Sequence, residues 1–248
     1  MLVIPPDLVY DRDMDTIKER WPGGLKYTGD PVGTDSLALA DFAMRVKGTR
    51  GVDLGCGSGI LMLLLALSRP DLRMLGVELR PNAAESCLAN IRANALTDRC
   101  GVVCEDLREV CPRDALADLA VSNPPYFPRG RGGVSPDPDR ALMRTETAAP
   151  EEMCASAAMC LRDGGSFCLV HRTERIAEIF DALRGAGLEP KRLRFLASGP
   201  DAPPSLFLVE ARKGARPGLA PEPTLFQFGP TGNETAEYRR ICHREEGQ

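Results

Sequence analysis

Apolar positions along the chain alternate between short runs rich in β-branched and aliphatic residues and longer stretches in which they recur about every third or fourth residue. The short runs predict strands at Gly51–Leu54, Met74–Glu78, Val102–Cys104, Leu119–Ser122, Ser166–Val170, Lys191–Leu196 and Leu206–Glu210. The longer stretches predict helices at Gly59–Ser68, Asn82–Ala95, Pro150–Leu161 and Glu174–Gly185, several of them closed by Gly or followed by Pro. Alternation of this kind builds βα units, so the expected fold is α/β, with a seven-stranded, mostly parallel sheet and helices on both faces. The last two strands lack a full helix between them, which predicts an antiparallel edge strand. Residues 1–33 and 213–248 read as arms flanking a domain at 34–212, the second arm ending in a short helix near Glu234–Cys242. The stretch Pro128–Asp139, PRGRGGVSPDPD, is predicted to be a mobile loop.

Composition narrows the class. The 248 residues are 43% hydrophobic, enough for one sizeable core. A net charge of −4 argues against coating nucleic acid or anionic membrane by bulk electrostatics, so a polyanionic partner would be held by a local basic patch. Nine cysteines with no C-x-x-C pair, and only His171 and His243 as histidines, predict reduced thiols and no zinc site. The start MLVIPPDL has no basic leader, and the longest greasy run, Ile60–Leu67, is far short of the roughly 20 residues that span a bilayer. A soluble, cytoplasmic protein is expected.

The most informative turn is RGVDLGCGSGI, Arg50–Ile60. Gly55, Gly57 and Gly59 follow a strand and open a helix, so main chain can approach a ligand closely and offer N–H groups to it. A dinucleotide fingerprint read from Gly55 would need Gly where Ile60 stands. Asp53 would moreover repel a pyrophosphate and suits a ligand bearing an ammonium group. Glu78 ends the next strand, where a carboxylate can accept both hydroxyls of a ribose, with Leu79 against a purine face. Asp106, after the third strand, is placed to accept from an adenine amino group, with Leu107 packing on the ring.

In VSNPPYFP, residues 121–128, two prolines follow a strand. They lock the carbonyls after Asn123, which arrives at the same rim as the glycine loop. The Asn123 side-chain carbonyl and the Pro124 main-chain carbonyl converge as acceptors for both hydrogens of a planar amine, Pro125 stiffens the corner, and Tyr126 supplies a flat face for stacking. The arrangement suits attack by an amide-like or aryl amine on a sulfonium methyl, driven by proximity and polarisation. His171, just after a strand, reads as a satisfied rim residue rather than an acid or base.

DLGCGSG with NPPY resembles the class I S-adenosylmethionine-dependent methyltransferases that modify exocyclic or amide nitrogens. The stretches VGTDSLALADFA, LVHRTERIAEI, GLEPKRLRF and SLFLVEARKGARPG are similar to the bacterial tRNA1(Val) adenine-N(6)-methyltransferase family. The resemblance implies a Rossmann-like sheet and transfer of a methyl group to the exocyclic amine of the adenine immediately 3′ of the anticodon. It implies further that Asp53, Gly55, Cys56, Gly57, Gly59, Glu78, Leu79, Asp106 and Leu107 hold S-adenosylmethionine, that Asn123, Pro124, Pro125 and Tyr126 hold the target base, and that Asn123 also borders the cofactor. Thr34 and Asp35 would close the pocket over the methionine end near a helix start at Ser36. For the tRNA anticodon stem-loop the candidate cations are Arg129, Arg131, Arg140, Arg144, Arg172, Lys191 and Arg192, with Arg175 and Arg194 beside them. Trp21 could stack on a base, although packing is its commoner use. Two other readings share these motifs: methylation of a glutamine amide in a protein such as a release factor, and a cofactor-binding module without catalysis.

Overall fold

The computed structural model of the protein describes residues 19–20, 25–29, 32–110, 116–126 and 148–242. In chain order the strands are β1 (Glu19–Arg20), β2 (Lys26–Tyr27), β3 (Arg50–Leu54), β4 (Arg73–Glu78), β5 (Cys100–Cys104), β6 (Ala117–Ser122), β7 (Leu161–Arg172), β8 (Leu188–Ala197), β9 (Leu206–Lys213), β10 (Ala220–Pro221) and β11 (Leu225–Phe226). The helices are α1 (Thr34–Ala43), α2 (Ile60–Ser68), α3 (Pro81–Ala93), α4 (Pro150–Cys160), α5 (Ile176–Gly185) and α6 (Ala236–Ile241). Proline opens both α3 and α4 at the position where its missing N–H costs nothing, and in α4 the Glu152 carboxylate folds back to accept the Ala149 N–H at 2.8 Å.

One nine-stranded sheet runs β10-β8-β9-β7-β6-β3-β4-β5, with β11 also paired to β8. The five strands from β5 to β7 are parallel. The one strand running against the others, β9, lies between β7 and β8 rather than at the rim, and the two-residue strands β10 and β11 extend the sheet beyond β8. Side chains on both faces are buried, which explains the near-continuous apolar runs. Along β7, Phe167 and Leu169 join the core beneath α4 and α5, while Cys168 and Val170 join the core beneath α1, α2 and α3. In β3, Val52 and Leu54 take the first side, so period-two alternation turns Asp53 to the second.

Chain order reverses at β3, which has β4 on one side and β6 on the other, and a parallel sheet opens a crevice at the carboxyl ends of its strands at such a point. Registers there are Val52↔Ala120 and Asp53↔Val121, and the Ser122 hydroxyl donates to the Leu54 carbonyl at 2.7 Å. The glycine loop and the NPPY corner therefore leave the sheet side by side.

Asn90 on α3 and Asn94 just past its end, about one turn further on, dock the segment before α1. The Asn94 side chain accepts the Lys26 N–H at 2.9 Å and donates to the Lys26 carbonyl at 2.7 Å. Asn90 does the same for Thr28, at 2.9 and 2.8 Å, and also donates to the Ser58 carbonyl at 2.9 Å and sits 3.3 Å from the Thr28 hydroxyl. Four helical residues rise about 6 Å and two extended residues about 6.6 Å, so amides at i and i+4 match alternate residues of a strand.

Candidate active site

A cleft of about 360 Å³ opens at the β3–β6 reversal, walled by the glycine loop, Glu78–Arg80, Glu105–Leu107, Asn123–Tyr126, the start of α1 and Tyr27. Gly55 and Gly57 have φ of +74° and +54°, in the left-handed region that glycine adopts freely. A Cβ on Gly55 would meet no atom within 4 Å, so the loop forms an open cradle there. The expected row of N–H groups aimed at a ligand is not what the loop presents. The Gly55 and Cys56 N–H groups both donate to the Val77 carbonyl, Gly57 donates to Glu78, and Gly59 donates to Cys56. Tight folding of the loop back onto β4 uses them up, which leaves little to bind a phosphate. Gly59 also departs from its expected role. It does not line the cleft, and a Cβ there would stand 2.6 Å from the Cys87 sulfur, so it is needed for the close approach of α2 and α3. Cys56 borders the cleft, its thiol pushed well above the ordinary range by its hydrogen bond with Cys87 and by burial.

Asp53 is the electrostatic centre of the cleft. It is 1% exposed, and its Oδ2 has no hydrogen-bond partner. Burial pushes its pKa up to about 7, the Met62 main-chain N–H partly offsets this, and the nearby Glu78 adds to it. A buried carboxylate with a free oxygen behind an open glycine cradle fits S-adenosylmethionine, which carries positive sulfonium and ammonium groups.

Glu78 is nearly buried and already engaged: Oε2 accepts the Gly57 N–H at 2.8 Å, and Oε1 accepts the Arg80 N–H and Nε–H at 2.9 and 3.1 Å. Of a carboxylate's roughly four lone-pair positions, three are taken, so the expectation that it receives both ribose hydroxyls is reduced to one without rearrangement. Leu79 is 46% exposed at the cleft wall, and Leu107 lines the cleft while packing on the α4–α5 side of the core. Asp106 lines the cleft as well, but both its oxygens are taken by Arg108, whose guanidinium and N–H hold its carboxyl below the usual range. The expected free acceptor for an adenine amine is thus a paired one.

At the NPPY corner, Asn123 Nδ2 donates to the Ser36 hydroxyl at 2.9 Å. The Tyr126 hydroxyl lies 2.7 Å from Asp35 Oδ2 and 2.8 Å from Asn123 Oδ1, so one phenolic proton faces two acceptors. The Tyr126 ring packs edge-on with His171 at 5.5 Å, and burial followed by the Asp35 charge raises its phenol well above the normal value. Asp35 Oδ1 accepts the Ser36 N–H at 2.8 Å, in the space a Cβ on Gly33 would fill. Thr34 does not line the cleft: its hydroxyl pairs with Tyr238 of α6 at 2.8 Å, which corrects its expected place over the methionine end. His171 is buried, accepts the Arg172 N–H on Nδ1 at 2.8 Å, and has its pKa lowered to about 4 by burial and by Arg175. It is neutral at physiological pH.

The basic residues proposed for RNA separate by burial. Arg192 is committed internally, with Glu210 at 2.6 Å, Glu222 at 2.7 Å and the Phe42 ring 4.1 Å beneath its guanidinium. Arg194, 5% exposed, pairs with Glu237 and the Pro223 carbonyl. Neither is available to a phosphate, because three carboxylates and the growth of the sheet past β8 enclose them. Arg172 pairs with Glu174, Arg175 with Glu178, and Lys191 donates to the Arg216 carbonyl. Arg129, Arg131, Arg140, Arg144, the Pro128–Asp139 loop, Trp21 and His243 lie outside the described residues. Sequence reasoning missed Ser36, Arg80 and Tyr27. Ser36 follows directly on the Asp35 it did single out, so adjacency was the available signal. Among the described residues no group of His, Cys, Asp and Glu is placed to hold a metal ion, and no helix is long and apolar enough to cross a membrane.

Comparison with known proteins agrees with this geometry. Residues 32–184 match the methyltransferase small domain family. A tRNA1(Val) (adenine(37)-N6)-methyltransferase of Parabacteroides distasonis is 31% identical over 72% of this chain and 75% of its own length. The protein of the same name from Citrobacter koseri is 37% identical over 56% of this chain and 57% of its own, so the chain spans little more than half the length of that relative. Among solved structures, a predicted O-methyltransferase of Agrobacterium tumefaciens is similar with a TM-score of 0.69 at 19% identity, covering 86% of this chain and 98% of that one, which bears on the fold alone. The chain belongs to the methyltransferase small domain family of class I S-adenosylmethionine-dependent methyltransferases, and within it to the group of the tRNA1(Val) (adenine(37)-N6)-methyltransferases.

Proposed function

We propose that this chain methylates the exocyclic N6 amine of an adenine beside the anticodon of a tRNA, in the cytoplasm. One observation carries the reading: the Asn123–Pro124 corner leaves β6 in register with β3, so its acceptors stand next to the Gly55–Gly57 cradle and the buried Asp53. Bound S-adenosylmethionine supplies an electrophilic methyl group. The chain's own part is to bind and orient. Asp53 and the open cradle hold positive charge, Glu78 offers its remaining lone pair to a ribose hydroxyl, and the Asn123 and Pro124 carbonyls accept the two amine hydrogens. Accepting both hydrogens orients the nitrogen lone pair out of the base plane. His171 is neutral and its Nδ1 is already engaged by main chain, so it is not the acceptor of the proton released on transfer. An anticodon-loop adenine is already close to unstacked, which makes its presentation less costly than flipping from a duplex. Curated relatives named for this reaction support the choice of nucleic acid over protein amide.

Incubation with methyl-labelled S-adenosylmethionine, an anticodon stem-loop RNA and a release factor tests the proposal. Label in the RNA, appearing as N6-methyladenosine on nucleoside mass spectrometry, is expected. Label in the protein amide, or in neither, overturns it.

A further inference from the structure

Asn123 can accept an amine hydrogen only if its carbonyl is held at the cleft, and a side-chain amide swings and turns over readily unless both its ends are tethered. At the carbonyl end, Tyr126 is a contested tether, since its single proton also faces the charged Asp35 oxygen at 2.7 Å, the stronger acceptor. At the amine end the tether is Ser36, a buried residue in the first turn of α1, whose hydroxyl accepts from Nδ2 at 2.9 Å across 87 residues of sequence. Glycine at position 33 leaves the room in which Asp35 folds back to accept the Ser36 N–H, and this fixes the turn that presents the hydroxyl.

We infer that Ser36 is a positioning residue for methyl transfer, anchoring the Asn123 side chain so that its carbonyl meets the substrate amine. The inference rests on the amine-methylation reading above for its catalytic consequence, but the anchoring itself is a property of the protein without substrate. Ser36→Ala removes the acceptor and takes from Nδ2 its tether at the half-buried cleft wall. A displacement of the acceptor by a fraction of an ångström lowers kcat about 10- to 100-fold, while cofactor affinity stays within about two-fold because Asp53 and the glycine cradle are untouched. Ser36→Thr keeps the hydroxyl and restores kcat. A purely structural role would instead lower the melting temperature and cofactor affinity together.

The chain contains five asparagines, so the side-chain amide signals of ¹⁵N-asparagine-labelled protein are few enough to assign, with Asn123→Ser identifying the one that disappears. The Asn123 signal is expected to shift in Ser36→Ala and to return in Ser36→Thr, in parallel with turnover on stem-loop RNA. An unmoved signal, or a moved signal with unchanged kcat, overturns the inference. Should wild-type protein methylate no RNA while the signal still shifts, the RNA reading fails and the anchoring stands. If Ser36→Ala does not fold, Ser36→Cys, which fills the space with a poor acceptor, gives the same readout.

Discussion

Asp53 shows how one side chain can serve a cation and oppose folding at once. In the folded chain it keeps its proton up to about pH 7, against an ordinary value of 3.8, so between those values the native state holds more protons than the unfolded one. Its contribution to stability is therefore complete below the lower value and is lost as pH rises through the higher one. Asp53→Asn should flatten that loss, and denaturant titrations should show the variant gaining on wild type between about pH 4 and about pH 7. Because a cation binds the ionised form, S-adenosylmethionine affinity measured by calorimetry should rise over the same interval in wild type and not in the variant. Asn123→Ala acts on the reaction rather than on binding: we expect turnover to fall by about 100-fold or more with cofactor affinity within a few-fold. Asp53, Glu78 and Asn123 were legible because a carboxylate or amide at a strand end, beside glycine or proline, has few other uses. The partner of Asn123 was not: Ser36 sits on α1, whose approach only the fold decides, as it also decides that Tyr238 of α6 takes the Thr34 hydroxyl.

At the scale of elements, the seven main strands were legible from their runs, but their ends were set by pairing. β7 begins at Leu161 rather than Ser166 because Leu161 pairs with Ala117, directly after α4 ends at Cys160. No periodicity shows a helix passing into a strand without a loop. β10 and β11 are two residues each and exist because β8 offers them an edge. Position 59 couples α2 to α3, so Gly59→Ala, with φ of +89° and a sulfur 2.6 Å from the new Cβ, should lower the melting temperature, and Cys87→Ala in addition should recover part of the loss. On α3, Asn90→Ala strips partners from Thr28 and Ser58. A loss of about 1–3 kcal/mol is expected, together with faster hydrogen exchange at the Thr28 amide; unchanged exchange would contradict the docking role.

Across the whole molecule, charge is organised to be spent internally. Arg192 ties β8 to β9 through Glu210 and to the chain after β10 through Glu222, so Arg192→Ala takes the shared cation from both and leaves the buried Glu210 to the Ser166 hydroxyl and the half-exposed Arg212. A destabilisation of about 3 kcal/mol is expected, with RNA affinity unchanged at equal folded fraction, whereas loss of RNA binding alone would return Arg192 to the nucleic-acid surface. The fold class was readable because alternating βα periods admit few sheet orders. Assignment of arginines to RNA went astray at Arg192 and Arg194 because an arginine in a strand looks the same whether its face is open or roofed by further chain.

Asn90 and Asn94 grip Lys26 and Thr28 almost wholly by their peptide groups, and the side chain between, that of Tyr27, is committed to the cleft. A tether that reads main chain is indifferent to the letters it holds. Substitutions at positions 26 and 28 can therefore change the side chains there while Tyr27 keeps its place at the cleft.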